Sequence, residues 1–235
     1  MANSNINPSR GVIYVYWGEQ PEEELERSIT SLSRIHPELP WKKIKLNDDS
    51  SLLDKSSMLK LSPFESTLFL DTDTVVLDRL DFGFQQAEQY GLACCINECP
   101  WARRYADIGG DQVEYNTGVL FFTRDATVVF DRWDSISKEI DSTLVFESGG
   151  EPRVMALNDQ AGFSQALVDT NFNPYVLPLN WNFRPMWHRS FFGPVKVWHD
   201  RSTPPSGVHF WNEEQSMEQG IIKYWEIPRE NLQEA

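Results

Sequence analysis

The sequence predicts an α/β domain with a mostly parallel sheet flanked by helices, and three observations predict it. Short apolar runs rich in β-branched and aromatic residues recur at Gly11–Trp17, Lys42–Leu46 and Thr67–Leu70. Stretches with helical spacing separate them. Strand, helix, strand, helix, strand is the order that parallel strands with crossover helices require. The 235 residues fit one large domain, 1–235, with residues 1–10 as a polar, flexible start.

Each element has its own signal. Gly11–Trp17 (GVIYVYW) ends at Gly18, as a strand running into a turn does. Pro21 and the acids Glu22, Glu23 and Glu24 then open a helix, where negative charge meets the positive end of the dipole. Leu25, Ile29, Leu32 and Ile35 give it one buried face, and Pro37 and Pro40 stop it. Lys42–Leu46 forms the second strand, and a short helix over Leu52–Leu61 leads through Pro63 to the third, Thr67–Leu70. Tyr115–Phe122 is another strand. Ala126–Ile140 is an amphipathic helix carrying Val129, Trp133, Ile136 and Ile140, and Asp159–Val168 is a further one. Val195–Trp198 and Val208–Trp211 are expected as late strands, separated by the turn-rich Ser202–Gly207.

Composition narrows the function. Hydrophobic residues make up 40% and charged residues 24%, which suits a protein with a true core. A net charge of -14 denies the chain a broad basic footprint, so no nucleic-acid partner is expected. An acidic protein that binds phosphate needs a local device against repulsion, such as a cation held by carboxylates. No apolar stretch reaches the roughly 20 residues that span a bilayer, and Met1–Arg10 has no signal-peptide core, so a cytoplasmic location is expected. Cys94, Cys95 and Cys99 are odd in number and have no evident zinc partners, so they read as reduced structural residues.

The sharpest feature is Leu68-Phe69-Leu70-Asp71-Thr72-Asp73-Thr74-Val75-Val76. An apolar strand delivers two carboxylates, one residue apart, at its carboxyl end, the edge where open α/β sheets bind ligands. On an extended chain, residues i and i+2 face the same side, so both can share one ion. Oxygen ligands suit Mn²⁺ or Mg²⁺. The plainer alternative is a strand end followed by turn aspartates. If it is a site, the motif fits two chemistries. In a nucleotide-sugar transferase, the pair holds a metal against a diphosphate. In a haloacid dehalogenase-like phosphatase, the first aspartate is a nucleophile. The phosphatase motif normally follows the first strand and needs a downstream lysine and a later acidic pair. Here only isolated Asp111 and Asp159 could supply that pair.

Four blocks in order favour the transferase. Lys55–Val76, Tyr115–Phe122 (YNTGVLFF), Asn158-Asp159-Gln160 and Gly207-Val208-His209-Phe210 resemble elements of glycogenin-like and bacterial galactosyltransferase-like enzymes, the family 8 type of GT-A glycosyltransferase. The resemblance covers roughly residues 11 to 211 and implies a single GT-A domain with a Rossmann-like sheet. It implies that Asp71, Asp73 and His209 bind the metal, with His199 a weaker competitor for the histidine. Lys55 would reach the donor's phosphates or sugar, and Thr72, between the two aspartates, would also lie at the donor. Tyr16, Trp17 and Gly18 would meet the base and ribose. Asn116 would hydrogen-bond the donor sugar, Gly118 would allow close backbone approach, and Asp159 and Gln160 would lie beside the anomeric carbon. For Asp159, capping the helix that follows is the rival role.

The implied activity is metal-dependent transfer of a hexose from a nucleotide-diphosphate sugar, UDP-sugar favoured, to a hydroxyl of a glycan or other acceptor. Configuration would be retained. The alternatives are the phosphatase and a non-catalytic sugar-binding relative. Two departures stand out: the first strand lacks an acidic or Thr-rich turn, and the basic motif expected after the late histidine is replaced by Trp211-Asn212-Glu213-Glu214. The late aromatics, among them Trp181, Trp187, Trp198, Trp211 and Trp225, suit a core, with one or two left to line an acceptor groove.

Overall fold

Strand β1 (Arg10–Tyr16) is buried along almost its whole length because it lies between β2 (Trp41–Lys45) and β3 (Ser66–Leu70), parallel to both. The computed structural model describes residues 9–18, 22–98, 112–148, 150–155, 157–215 and 224–227; Pro21, Cys99, Asp111 and most of the first ten residues lie outside them. Helix α1 (Glu22–Ile35) joins β1 to β2, and a 3-10 turn over Leu52–Ser57 followed by α2 (Met58–Leu61) joins β2 to β3. Next come β4 (Thr74–Val76), α3 (Asp81–Tyr90), β5 (Leu92–Ile96), β6 (Tyr115–Thr123) and α4 (Thr127–Ile136). A hairpin of β7 (Leu144–Ser148) and β8 (Glu151–Met155), then α5 (Asp159–Asp169) and β9 (Tyr175–Leu177), follow. The late part contains β10 (Ser190–Phe192), β11 (Val197–His199), α6 (Gly207–Gln215) and β12 (Tyr224–Glu226).

The main sheet has the order β2-β1-β3-β6-β5-β9. Only β6 runs against the others, pairing antiparallel with β3 and β5. The sheet is therefore mostly parallel, with its one reversed strand beside the centre.

Period-two alternation splits each strand between two apolar layers. Val12, Tyr14, Leu68, Leu70, Val119 and Phe121 pack against α1 and α3. Ile13, Val15, Phe69, Leu120 and Phe122 face the other side, where α4 and α5 contribute Val129, Phe130, Trp133, Phe163 and Ala166. Cys94 and Cys95 are free and buried, one on each face. Helix α4 ends at Ile136, four residues short of its expected end, and Ile140 packs from the turns beyond.

A third apolar cluster takes up most late aromatics: Phe183, Phe191 and Trp198 are buried with Val208, and Trp211 stacks on Trp225 at 4.9 Å. Trp187 stays exposed. Val208–Trp211, expected as a strand, is the start of helix α6, because the buried Val208 anchors a helical turn to this cluster. Among the described residues, no helix is long and apolar enough to cross a membrane.

Candidate active site

Asp71 directly follows β3 at the carboxyl edge of the sheet, and its N–H donates to the Gly118 carbonyl of β6 at 2.8 Å. The chain then turns instead of staying extended: the Thr74 hydroxyl donates back to the Asp71 carbonyl at 2.7 Å. The two carboxylates are thus brought to one side by a turn, not by strand alternation. Helix α1 holds that turn from behind. Ser28 Oγ lies 2.9 Å from Thr74 Oγ1, and the Val76 N–H donates to Ser31 Oγ at 2.8 Å. The small polar residues on the buried face of α1 therefore have a task that its apolar spacing alone does not show.

The histidine arrives by strand pairing. Strand β11 lies antiparallel to β4 with His199 opposite Thr74, and the Asp200 N–H donates to the Asp73 carbonyl at 3.0 Å. His199 Nε2 sits 3.3 Å from Asp73 Oδ1 and 3.6 Å from Asp71 Oδ2. One ligand atom from each of the three residues falls within 4.8 Å of the others, a donor set of two carboxylates and an imidazole that suits Mn²⁺ or Mg²⁺. His209, the histidine expected there, is placed elsewhere. It sits in the first turn of α6 and lines a separate hollow with Arg27, Arg34, Thr203 and Pro204. The β4–β11 ladder, invisible in the late motif, is the physical reason His199 takes the position. A second group, His36, Glu38 and Asp81, is already satisfied: His36 Nε2 accepts from the Leu80 N–H at 2.8 Å, and Arg79 pairs with both acids.

Lys55 is buried beneath the aspartates. A capping box of Ser51 and Asp54 fixes the 3-10 turn that carries it. Its Nζ lies 2.7 Å from Asp71 Oδ1 and 3.4 Å from Asp159 Oδ2, above the Phe69 ring. Asp159 also accepts from the Thr117 hydroxyl at 2.5 Å. It does not cap α5. That role falls to Asn158, whose side chain accepts from the Gln160 N–H at 2.9 Å, leaving the Asp159 carboxylate free for Lys55. Trp133 Nε1 donates to the Asp159 carbonyl at 3.1 Å and ties the start of α5 to α4.

The electrostatics show where positive charge is wanted. Burial raises the Asp71 carboxyl above its ordinary range despite Lys55 and His199. Burial acts the same way on Asp73, but the charge and hydrogen bond of His199 outweigh it and hold that carboxyl low. Burial alone would lower Lys55; the charges of Asp159 and Asp71 lift it above the usual lysine range. Burial would also lower His199, and Asp73 reverses that shift. A divalent ion between these carboxylates would supply the charge that one lysine and one histidine share out in its absence.

Gly118 forms the floor. A Cβ there would stand 2.2 Å from His199 Cε1 and 2.7 Å from Asp71 Oδ2, so a side chain displaces two members of the cluster at once. Gly118→Ala is expected to weaken Mn²⁺ binding by about 10- to 100-fold, the range for losing ligand orientation. Its φ is not in the left-handed region, so no backbone strain adds to the effect. Calorimetric Mn²⁺ titration of the folded variant checks this, and unchanged affinity refutes it.

A pocket of about 420 Å³ opens over the cluster, lined by Trp17, Gly18, Lys55, Asp71, Thr72 and Asp73. Tyr16, expected there with Trp17, packs against the core instead. Asn116, Asp159 and Gln160 are buried side by side behind it, with the Asn116 amide donating to Gln160 Oε1 at 2.7 Å. The pocket also contains Glu24, Leu52 and Arg201, which sequence reasoning missed. Arg201 stands two residues after His199 and brings a basic side chain to the pocket, whereas none follows His209 closely. Asn182, bonded to both Asn116 and His199, was also missed and carries no sequence signal.

The mostly parallel sheet with a single reversed strand, carrying Asp71 and Asp73 at its carboxyl edge, has the GT-A fold. No family model matches the sequence, and no curated protein does. Solved structures do. The chain matches the galactosyltransferase LgtC, solved in complex with donor and acceptor sugar analogs, at a TM-score of 0.54 and 12% identity over 88% of this chain and 94% of that one. Mouse xyloside xylosyltransferase 1 matches at a TM-score of 0.53 and 13% identity, covering 83% of this chain and 99% of that one. The glycosyltransferase GlyE of Streptococcus pneumoniae TIGR4 matches at 0.50 and 13% identity over 90% of this chain, which spans only 61% of GlyE. At these identities the likeness is one of fold.

Proposed function

We propose that this protein is a divalent-metal-dependent glycosyltransferase of the family 8 type. In this reading it moves a hexose from a nucleotide-diphosphate sugar, UDP-sugar favoured, to a hydroxyl of a glycan or similar acceptor, with retention of configuration and in the cytoplasm. The whole chain, 1–235, would act as a single transferase domain. The observation that carries the proposal is the convergence of Asp71, Asp73 and His199 within 4.8 Å at a strand's carboxyl edge, with both aspartates lining a pocket.

Asp71, Asp73 and His199 would hold Mn²⁺ or Mg²⁺, which when bound supplies Lewis-acid neutralisation of the leaving diphosphate. Arg201 lines the same pocket and would add a guanidinium to the phosphates. Trp17 and Gly18 also line it, and the base and ribose would lie against them. Asp159 is tied to Thr117 and Lys55, and the amide oxygen of Gln160 is taken by Asn116. Both are held as positioning groups rather than as ready nucleophiles, which favours attack by the acceptor on the same face as the leaving group. Alignment of donor and acceptor then supplies much of the remaining acceleration. The phosphatase alternative is not favoured by the fold.

Thermal denaturation against a panel of nucleotide-sugars, with and without Mn²⁺, tests the proposal. A donor at a hundred times its Kd stabilises the fold by about 2.7 kcal/mol. Stabilisation is expected only when nucleotide-sugar and metal are present together. Stabilisation by glycan alone, with no response to nucleotide or metal, would mark a sugar-binding relative and reject the transferase.

A further inference from the structure

His199 can serve as a metal ligand through Nε2 only if its ring proton sits on Nδ1, and one backbone group settles where that proton sits. The Gly118 N–H is a donor that cannot be reversed, and it points at the Asn116 side chain at 2.9 Å. The Asn116 atom it meets must therefore be the oxygen. Asn182 approaches the same oxygen at 2.6 Å and must present its NH₂ there. The Asn182 amide is planar, so its own oxygen faces the other way, 2.8 Å from His199 Nδ1. An oxygen at that distance accepts, so Nδ1 carries a hydrogen; Nε2, which donates toward Asp73 while the ring is charged, is then the nitrogen that gives up its proton and offers its lone pair to a cation at Asp71 and Asp73.

We propose that Asn182 is a positioning residue for metal binding: it fixes the tautomer and the ring orientation of His199, and takes its own orientation from Gly118 through Asn116. The inference rests on the metal role proposed for Asp71, Asp73 and His199. Its physical basis is that a ligating histidine binds best when its other ring nitrogen donates to a fixed acceptor. Asn182 is 2% exposed and Asn116 5%, so water does not compete for these bonds. The backbone holds both ends of the link: the His199 N–H donates to the carbonyl of Phe183, the neighbour of Asn182, at 2.8 Å. The same Asn116 amide donates to Gln160, so the metal side and the sugar side of the site share one hub.

The test compares the full chain with Asn182→Leu, close in volume but without an acceptor, and Asn182→Asp. In its protonated form, which the Asn116 oxygen favours, the aspartate donates to Asn116 as the amide does and keeps its other oxygen toward Nδ1. Two measurements are made without any donor sugar: the ring nitrogen shifts of His199 in the metal-free protein, well above the imidazole pKa, and Mn²⁺ affinity by titration. The wild-type ring is expected as the Nδ1–H form. Asn182→Leu is expected to mix in the Nε2–H form and to bind Mn²⁺ about 10- to 100-fold more weakly. Asn182→Asp is expected to keep the Nδ1–H form and at least the wild-type affinity, which a loss through misfolding would not spare.

A wild-type ring protonated on Nε2, or an Asn182→Leu protein that keeps both the tautomer and the affinity, overturns the proposal. Failure of the underlying metal reading looks different: the wild-type ring is then Nδ1–H, yet no Mn²⁺ binds, and the relay loses its purpose along with the site.

Discussion

Asp73→Asn is expected to lower metal-dependent sugar transfer by about a thousandfold or more, with the fold intact. The magnitude follows from losing several kcal/mol of charge stabilisation at the leaving diphosphate, at about 1.4 kcal/mol per tenfold. The fold should survive because the Asp73 carboxylate is 28% exposed and makes no ion pair with Lys55. Its close partner, His199, can shed its proton and stay hydrogen-bonded to Asn182. Asp73 is therefore a cleaner probe than Asp71, whose replacement also strips a buried lysine of its nearer partner. Transfer and donor hydrolysis with saturating Mn²⁺ check the activity, and metal-free denaturation checks the fold. Wild-type turnover in Asp73→Asn would remove the metal from the reaction.

Four strands of the main sheet and the aspartates were legible in the sequence because both are local signals, whereas β5 and β9 were not read. Leu68–Leu70 runs straight into Asp71, and a buried strand in a parallel sheet must look like that run. The helical face Leu25, Ile29 and Leu32 was equally plain. What escaped notice depends on pairs distant in sequence. His199 reaches the site only because Val197–His199 pairs with Thr74–Val76, and neither three-residue strand has a periodicity long enough to read. Val208–Trp211 looked like a strand because its apolar residues crowd together; the packing of Val208 makes it the start of a helix.

Asn158 and Asp159 show the same limit on a smaller scale. Either could cap α5 by composition, and only the position of Lys55, more than a hundred residues earlier in the chain, explains why Asn158 does so. Tyr16 is the last residue of β1 and Trp17 the first beyond it; the structure turns Trp17 to the pocket and packs Tyr16 against the core.

Lys55→Met is expected to cost about 3–5 kcal/mol of stability, the range for removing one partner of a buried ion pair. For a chain of this size that is a fall in Tm of about 6–20 °C. Methionine fills nearly the same volume over the Phe69 ring, so the loss comes from charge, not from a cavity. What remains is Asp71 facing Asp159 with no cation between them at low dielectric.

The pH dependence has a definite sign. Burial already holds the Asp71 carboxyl above its ordinary range with Lys55 present, and removing the lysine raises it further. A group whose folded pKa lies above its unfolded value contributes full stability below the unfolded pKa and loses it as pH rises through the folded one. The deficit of Lys55→Met should therefore shrink toward acid pH and be largest near neutrality. It should also shrink with Mn²⁺, because a cation at Asp71 and Asp73 restores positive charge to the carboxylate that the lysine left bare. Denaturant unfolding of both proteins, at several pH values and with and without Mn²⁺, measures all three effects. A variant as stable as the wild type at neutral pH without metal would show that Lys55 does not hold the two acids together.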